Sequence, residues 1–325
     1  MNQTDQRLPN KSIKVICPVH NEELSLNYFY ERYCKMREGI SANYELELTF
    51  INNASTDRTL EIIKAIREKD KTVQVICNSR NFGYQASVLC GLTNLSGDAY
   101  VVIDADCEDP PELIPTFIAK WEEGYDLVYG VRKWRAEHAL IVAARQLFYR
   151  LTNKIADSDF IIDMAEFSLF SDRVRKQVLS HRSTFPFVRS DLAYAGFRRF
   201  GIDYKREPRR FGETHYNFTR MSKFAIAGIL SSSTFPLRFI AFAGLVIMTA
   251  DLIASVLQII GFKVPLTSLV LGNMAFVSFS LAFLAVYVAR ITKDVTARPI
   301  FIVDEATSEL NQPLSSIQDL HSRNA

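Results

Sequence analysis

Short apolar runs alternate with amphipathic stretches along the first hundred residues. Runs rich in apolar and β-branched residues predict four strands, at 12–19, 45–51, 73–77 and 99–103. Apolar residues at helical spacing predict helices between them, from 20 to about 39, at 59–69 and at 85–95. Strands and helices that alternate at this spacing indicate βαβ units, and therefore a mostly parallel α/β sheet covered on both faces.

Each predicted strand is followed by a polar segment. These segments are 20–22 (HNE), 52–57, 78–83 and 104–109. In parallel sheets the ligand binds at the carboxyl ends of the strands, so we expect the four segments to form one polar rim that binds it. Neither GxGxxG nor GxxxxGK[ST] occurs, which argues against a dinucleotide dehydrogenase or a P-loop NTPase.

The pattern changes in the last third of the chain. Between positions 236 and 291 the only charged residues are Arg238, Asp251, Lys263 and Arg290. The apolar segments 236–260 and 266–291 each exceed the roughly 20 residues needed to cross a bilayer. Because the linker 261–265 is short, they predict a helical hairpin.

Charges around the hairpin predict its orientation. Basic residues flank both of its ends, whereas the turn has Lys263 alone, so the positive-inside rule places both flanks in the cytoplasm. The stretch 218–235 mixes basic and apolar residues and predicts an interfacial helix, with a core helix of the soluble domain as the alternative. Asp251 lies in mid-span, where an acid usually faces protein or water, and we expect it to pair with another subunit or with the second helix.

The predicted organisation therefore has four parts. They are a catalytic domain over 1–217, an interfacial helix over 218–235, two membrane helices at about 236–260 and 266–290, and a tail over 292–325. The net charge of +2 gives no reason to expect nucleic acid as a partner. The five cysteines have no metal-ligand spacing, which favours reduced, buried thiols in a cytosolic domain, and the polar N-terminus has no apolar run for a signal peptide.

An acidic cluster follows the fourth predicted strand. Asp104 and Asp106 form a DXD motif, and alternate carboxylates at a strand end can hold a hard divalent cation together with phosphate oxygens. Glu108 and Asp109 add further carboxylates, and 110–112 (PPE) opens a helix. The cluster predicts a site for Mg²⁺ or Mn²⁺.

Several motifs together resemble the polyprenyl-phosphate glycosyltransferases of inverting family 2, which contains dolichol-phosphate mannose synthase and the bactoprenol glucosyltransferases. The match runs from Val15 to about Val303. Its parts are CPVHNE (17–22) for P-x-Y-N-E, NNASTDRT (52–59) for D-D-G-S-x-D-x-T, the segment 78–98 for R-N-x-G-x-x-x-A-x-x-x-G, DADCEDPPE (104–112) for D-A-D-L-Q-D-P-P-E, and RPIFIV (298–303). The resemblance implies a GT-A, Rossmann-like catalytic domain.

The same resemblance implies the reaction. It is the inverting transfer of a hexose from a nucleotide-sugar, with a UDP-sugar favoured over a GDP-sugar, to undecaprenyl or dolichyl phosphate. The product would be a lipid-linked sugar for cell-envelope or glycan modification, made at the bacterial inner membrane. A homo-oligomer and a downstream flippase or lipid-linked-sugar transferase are compatible partners.

Site residues are carried over from the family motifs position by position. The metal ligands would be Asp104, Asp106 and Glu108. The nucleotide-sugar would contact Pro18, His20, Glu22, Asn52, Asp57, Arg80, Asp104, Ala105 and Asp106. The acceptor phosphate would contact Arg132, Arg145, Arg209, Thr214 and His215, and the catalytic residues would be Asp106, Arg132, Arg145 and Arg209. Asp163 and Glu166 resemble the family's D-x-G-D-F-x-L.

The chain departs from the family pattern at three places. Asn52 and Asn53 replace two Asp, which leaves the nucleobase open because an amide donates as well as accepts hydrogen bonds. Glu108 replaces Gln. His215 replaces Lys, which makes a phosphate contact titratable near neutral pH.

The chemistry of the acceptor distinguishes the leading hypothesis from its alternatives. A lipid phosphate is anionic at neutral pH and needs no general base, so arginines that grip phosphate oxygens become the central groups. A hydroxyl-acceptor or processive polysaccharide glycosyltransferase of the same fold would need a base, for which Glu166 is the candidate. The absence of Q-x-x-R-W and the presence of only two predicted helices argue against it. A non-catalytic membrane scaffold is a further alternative, against which the retained DXD acids argue.

Overall fold

The computed structural model describes residues 10–40, 43–133, 161, 164–181, 183–184, 186–211, 234–311 and 313. These residues belong to two compact units. The first unit contains a seven-stranded sheet, the helices that cover it and the segment that begins at Pro299. The second unit contains two long apolar helices.

The sheet is mixed but mostly parallel, as predicted. Its strands are β1 (Lys11–Val19), β2 (Tyr44–Asn52), β3 (Val73–Cys77), β4 (Ala99–Val102), β5 (Leu127–Lys133), β6 (Met164–Ser171) and β7 (Arg199–Lys205). Their order is β3-β2-β1-β4-β6-β5-β7. The first four strands pair in parallel, β6 is antiparallel to both β4 and β5, and β7 is parallel to β5.

Six α-helices of the first unit are described, with a 3₁₀ turn at Pro111–Leu113. They are α1 (Leu26–Glu38), α2 (Thr59–Lys69), α3 (Tyr84–Asn94), α4 (Ile114–Glu122), α5 (Asp172–Ser180) and α6 (Val188–Tyr194). Pro at the start of the 3₁₀ turn fits the first-turn position that the sequence indicated.

Successive residues of the central strand β1 enter opposite cores. Ile13, Val15 and Cys17 belong to the core that α1, α2 and α4 cover, whereas Ile16 belongs to the core that α3, α5 and α6 cover. Helix α3 lies so close to β1 that a Cβ at Gly91 would come within 2.7 Å of Ile16 Cγ2. The alternation follows from the two-residue period of a strand, and burial on both faces explains the nearly continuous apolar runs of the sequence. Four of the five cysteines are buried, and Cys34 is partly buried.

The second unit consists of α7 (Phe235–Ile259) and α8 (Leu266–Thr296). Both helices are long and apolar enough to cross a membrane, and no residue of either is buried. Asp251 Oδ2 accepts a hydrogen bond of 2.8 Å from Asn273 Nδ2 on α8. The mid-span acid therefore has one of the two kinds of partner that we expected. The stretch predicted as an interfacial helix lies, except for its last two residues, outside the described residues.

Residues 299–311, which we call the strap, cover the edge strand β3. Glu309 exchanges two backbone hydrogen bonds with Val75, of 2.8 and 3.0 Å, and Val303 forms a bridge with Asn78. Phe301 is buried in the core beneath α3. The strap thus pairs backbone groups that an open sheet edge would leave free. These residues belong to the tail predicted over 292–325.

Candidate active site

Strand register brings the predicted polar segments together. Val19 pairs with Asn52, and Asn52 pairs with Cys77, so β1, β2 and β3 end in one row. The residues that follow this row therefore emerge side by side, and β4 adds the acidic loop that begins at Asp104. The rim predicted from the sequence is present.

Three turns of the rim place non-glycine residues in the left-handed backbone region. The φ angles are 57° at Asn21, 55° at Ala54 and 60° at Cys107. Asn21 Oδ1 accepts a hydrogen bond of 2.8 Å from the Thr56 amide, which joins the first turn to the second. Left-handed backbone is uncommon outside glycine and persists where the surroundings hold it, often at functional sites.

One half of the rim is a network of neutral amides, formed by Asn53, Asn78 and Asn81, which we call the amide network. Asn53 Oδ1 accepts from Asn78 Nδ2 at 3.2 Å and from the Phe82 amide at 3.0 Å, and Asn53 Nδ2 donates to Asn81 Oδ1 at 2.9 Å. Asn81 Oδ1 also accepts from the amide of Gly83, whose φ of +92° suits glycine. The network fixes the loop that precedes α3.

Four of the nine predicted nucleotide-contacting residues lie around this network. Asn52 Oδ1 accepts from the Ser55 amide at 3.1 Å, and His20 Nδ1 lies 3.0 Å from the Asn53 carbonyl, to which its N–H can donate. Arg80 stacks on Phe82, with its guanidinium carbon 3.9 Å from the ring centre. The structure therefore brings His20, Asn52 and Arg80 to one end of the rim, beside Pro18 at the end of β1.

Asp57 has a structural role in this region. Its Oδ1 accepts from the Thr59 amide at 3.0 Å at the start of α2, and its Oδ2 accepts from the Glu23 amide at 3.2 Å. A carboxylate at a helix start satisfies amides that have no partner within the helix. Asp57 thus joins the turn after β1 to α2.

The other half of the rim is acidic. Asp104 Oδ1 accepts a hydrogen bond of 2.8 Å from the Tyr84 hydroxyl. Burial, together with the nearby carboxylates of Asp106 and Asp109, raises the pKa of Asp104 to about 7. Asp106 Oδ1 accepts from the Glu108 amide at 3.0 Å. Ala105, between the two acids, is buried.

Arginines neutralise the remaining acids of this half. Arg206 pairs with Glu108, and Arg209 Nη2 lies 3.4 Å from Glu22 Oε1. Burial raises the pKa of Glu22, although the hydrogen bond from Ser25 and the charge of Arg209 oppose the increase. Of the predicted catalytic arginines, Arg209 therefore reaches the rim from the segment that follows β7.

Arg132 forms a buried ion pair. Its Nη2 lies 2.9 Å from Asp109 Oδ2, and its Nε donates to the Tyr204 hydroxyl at 3.1 Å. The Tyr204 hydroxyl donates in turn to the other oxygen of Asp109, which is 1% exposed. The structure thus gives Arg132 a protein partner behind the acidic loop.

The acidic half has the donors for a divalent cation but not a complete set. Among the described residues, no three His, Cys, Asp or Glu side chains converge into a metal site. Glu108, the predicted third ligand, pairs with Arg206. Asp104 and Asp106 are hard oxygen donors whose mutual repulsion a cation would relieve, and Mg²⁺ commonly uses one or two carboxylates plus substrate phosphates. These two acids therefore fit a cation that takes its other ligands from a bound diphosphate.

Four predicted residues lie outside the described residues. They are Arg145, Asp163, Thr214 and His215. Their assignments stay predictions.

Comparison with known proteins places this architecture in a family. A model of glycosyl transferase family 2 matches residues 14–179. The uncharacterized glycosyltransferase YkcC of Bacillus subtilis is 33% identical over 311 residues, which cover 92% of this chain and 95% of that protein. The chain belongs to glycosyl transferase family 2.

A second relative of this glycosyltransferase is matched over nearly its whole length. The SfII prophage-derived bactoprenol glucosyl transferase of Shigella flexneri is 31% identical over 306 residues, which cover 90% of this chain and 98% of the relative. A crystal structure of glucosyl-3-phosphoglycerate synthase from Mycobacterium tuberculosis is 18% identical, covers 68% of this chain and 79% of that one, and has a TM-score of 0.49.

Several site residues of this glycosyltransferase were not predicted from the sequence. Arg32 on α1 donates to Glu112 at 2.7 and 2.8 Å and to Glu207 at 2.8 and 3.1 Å, so it ties the acidic loop to the segment that carries Arg209. The others are Tyr84, Gln85, Arg189, Tyr204 and Arg206. Only Tyr84 had a local signal, since it follows Gly83 at the start of a helix on the rim.

Proposed function

We propose that this glycosyltransferase transfers a hexose, with inversion, from a nucleotide-sugar to a polyprenyl phosphate. One observation carries the proposal: the match to a bactoprenol glucosyl transferase spans 98% of that relative and 90% of this chain. A match of that extent requires agreement beyond the family-2 region at 14–179. The membrane helices α7 and α8 would bring the enzyme to a lipid acceptor.

The donor would lie along the rim, with its nucleoside at the amide end and its diphosphate at the acidic end. Asn52 and His20 lie at the first position and offer groups that can donate or accept hydrogen bonds. A UDP-sugar is the favoured donor, with a GDP-sugar as the alternative. A Mg²⁺ or Mn²⁺ ion on Asp104 and Asp106 would neutralise the charge of the departing nucleoside diphosphate.

The reaction would be a single displacement. An oxygen of the lipid phosphate bonds to the anomeric carbon as the bond from that carbon to the diphosphate oxygen breaks. The nucleoside diphosphate leaves with the electron pair. Because the nucleophile is already an anion, no side chain has to remove a proton. Arg209, with Arg132 and Arg145, would hold the acceptor phosphate against the repulsion of the donor, and guanidinium groups suit phosphate oxygens.

The position of the strap supports a two-crossing topology. Residues 299–311 pack on the same sheet that precedes α7, so the chain before α7 and the chain after α8 lie in one compartment. An even number of crossings follows, and the positive-inside rule favours the cytoplasm. A cysteine replacing the exposed Glu305 should react with an impermeant thiol reagent only after the membrane is opened. Reaction in intact cells would contradict the cytoplasmic assignment.

In the alternative function, transfer to a hydroxyl acceptor, Glu166 would act as the general base. Glu166 Oε1 already accepts from Arg189 Nη2 at 2.6 Å and from Gln85 Nε2 at 3.3 Å. A base engaged in this way would have to give up charge-assisted hydrogen bonds as it takes a proton. The geometry therefore favours the phosphate acceptor.

The deciding experiment uses the full chain in detergent or vesicles. UDP- and GDP-sugars are supplied with undecaprenyl phosphate, dolichyl phosphate or a sugar acceptor, and the product anomer is read by NMR. We expect metal-dependent transfer to a polyprenyl phosphate with inversion, and Glu166→Gln should cost less than Arg209→Ala. Transfer only to a hydroxyl, with Glu166→Gln nearly inactive, would favour the alternative, and retention of the anomer would exclude a single displacement.

A further inference from the structure

We propose that the strap is a positioning element of the donor site, which holds the end of β3 and the loop 78–83 in the geometry that binds the nucleotide. The inference rests on the proposed function, since it assigns the nucleoside to the amide end of the rim. It adds to the donor site a segment that is far from the other rim residues in the sequence.

One end of the strap binds the backbone where β3 ends. The Cys77 amide donates to Ser308 Oγ at 2.9 Å, and the Cys77 carbonyl accepts from the Asp304 amide at 2.8 Å. The Ser79 amide donates to the Ile302 carbonyl at 2.9 Å. The strap thus holds the chain on both sides of Asn78.

These contacts continue directly into the rim. The Asn78 amide donates to the Asn52 carbonyl at 2.9 Å, and Asn52 Nδ2 lies 3.8 Å from Cys77 Sγ. Asn78 Nδ2 then joins the amide network through Asn53. A displacement of Cys77 would therefore reach both Asn52 and Asn53, which lie at the proposed nucleoside position.

Hydrogen bonds within the strap fix its conformation. Asp304 Oδ2 accepts from the Thr307 hydroxyl at 2.8 Å, its Oδ1 accepts from the Ala306 amide at 3.2 Å, and its carbonyl accepts from the Ser308 hydroxyl at 2.7 Å. Phe301 anchors the preceding residues in the core. A side chain that closes its own turn in this way limits the conformations of the segment, so the strap can position what it touches.

The other end of the strap provides a matched control. Asn311 accepts from the Arg67 guanidinium at 2.9 Å and donates to the Lys71 carbonyl at 2.8 Å. Its backbone amide donates to Gln74. These contacts tie the strap to α2 and to the start of β3, at the end of the strand remote from the rim.

The experiment compares Ser308→Ala with Asn311→Ala in the full chain. Ser308→Ala should raise the KM for the nucleotide-sugar and the Kd for UDP about fivefold, the effect of losing one net hydrogen bond, while kcat and the KM for the lipid stay unchanged. Ser308→Thr, which keeps the hydroxyl, should restore both constants. Asn311→Ala should lower the melting temperature and leave both donor constants within about twofold of wild type.

Equal donor constants in the Ser308→Ala and Asn311→Ala proteins would overturn the proposal and leave the strap a structural clamp. Calorimetric titration with UDP and GDP separates this result from failure of the proposed function. If the wild type binds nucleotide but transfers no sugar, the reaction assignment fails and the Kd values still decide the role of the strap. Absence of nucleotide binding to the wild type would overturn both.

Discussion

The two halves of the rim are held by different chemistry. In the amide network, Asn53 bonds to Asn78 Nδ2, Asn81 and a backbone amide, all of them neutral groups, while Asn78 Oδ1 is buried with no partner among the described residues. In the acidic half, arginines pair with Asp109, Glu108 and Glu22. Among the described residues, no Arg or Lys pairs with Asp104 or Asp106.

This difference indicates which half has uncompensated charge before a ligand binds. Neutral amides that bond to one another need no counter-charge, so the loop before α3 is held in place without a ligand. In the other half, burial and then the neighbouring carboxylates of Asp106 and Asp109 raise the pKa of Asp104, and the described residues supply no Arg or Lys partner to it. The amide half should therefore respond to substitution mainly through fold stability and donor affinity, and the acidic half through rate and metal dependence.

The largest effect should come from Asp106→Asn, which keeps the shape of the side chain and removes a carboxylate that pairs with no arginine of the described part of the chain. We expect transfer to fall about a thousandfold, equivalent to ~4 kcal/mol, because charge on the departing diphosphate would lose its compensation. Initial rates across a Mg²⁺ and Mn²⁺ titration measure the loss. Asp203→Asn, at an exposed acid of β7 that pairs with Lys133, is the control and should leave the rate unchanged. Activity of Asp106→Asn within a few fold of wild type would remove the metal assignment.

The second largest effect should come from the buried ion pair of Arg132 and Asp109, behind the acidic loop. Arg132→Gln leaves Asp109 charged and buried with the more distant Arg206 Nε, at 3.8 Å, as its remaining cation among the described residues, which should cost about 3 kcal/mol of stability. The neighbouring Lys133 is 53% exposed and pairs with Asp203, so Lys133→Gln should cost under about 0.5 kcal/mol. Melting temperatures of the two proteins in one detergent test this contrast. Equal losses of stability in the two variants would mean that the buried ion pair contributes no more than the exposed one.

A double variant separates the two roles proposed for Arg132. Asp109→Asn combined with Arg132→Gln removes both charges, so most of the lost stability should return. If Arg132 also contacts the acceptor phosphate, transfer by this stable protein should remain about a hundredfold below wild type, a loss of ~3 kcal/mol. Wild-type rates in the double variant would make Arg132 a structural residue only.

Local patterns predicted much of this architecture. The strand at 73–77 and the helix at 59–69 match the structure at both ends, because a buried β-branched run and an amphipathic repeat are local signals. The helix expected to open at His20 instead begins at Leu26, since Asn21 has a left-handed backbone and Ser25 bonds back to Glu22. The structure brings His20, Asn52, Asp104 and Arg209, which the motifs assign to the site, to the rim, and their roles stay predictions.

The parts that sequence reasoning did not anticipate depend on distant pairings. Nothing near Arg132 indicates that its partner is Asp109, and nothing near Ser308 indicates that it meets the Cys77 amide. Such contacts are fixed by strand order and by packing, whereas periodicity describes only neighbours along one element. Asp57, which the family motif assigns to the nucleotide, also holds the start of α2, and its contact with the nucleotide stays a prediction.

A smaller effect should come from the amide network. Asn53→Asp replaces the Nδ2 donor with a carboxylate oxygen that faces Asn81 Oδ1, and we expect a loss of about 2 kcal/mol in stability. Asn52→Asp is the matched comparison. Within the described ranges Asn52 Nδ2 makes one contact, the long one with Cys77 Sγ, so that change should cost under about 1 kcal/mol. Melting temperatures and UDP affinity measured together would show whether the amide half binds the donor, and an equal cost for the two variants would contradict the network described here.

The smallest effect should come from Asp70, which lies in a charged cluster away from the rim and serves as a reference for the acidic half. Asp70 pairs with Arg37 at 2.8 Å and accepts from the Thr72 and Tyr30 hydroxyls at 2.6 and 2.9 Å. Burial alone would raise the pKa of Asp70, but the hydrogen bonds from Thr72 and Arg37 outweigh it and lower the pKa to about 2. Unlike Asp106, this acid already has its cation.

Asp70→Asn should therefore cost about 1 kcal/mol at neutral pH, since Arg37 is partly exposed and screened. A depressed pKa contributes stability that is fully present above the unfolded value of about 4 and is lost as the pH falls toward about 2. The gap in melting temperature between wild type and Asp70→Asn should thus stay constant from pH 7 to pH 5 and narrow by pH 3. Mg²⁺ with UDP at pH 7 should leave this gap unchanged but widen the gap between wild type and Asp106→Asn, because only the acidic half of the rim lacks compensation. A gap at Asp70 that grows in acid would reverse the assigned direction of its pKa.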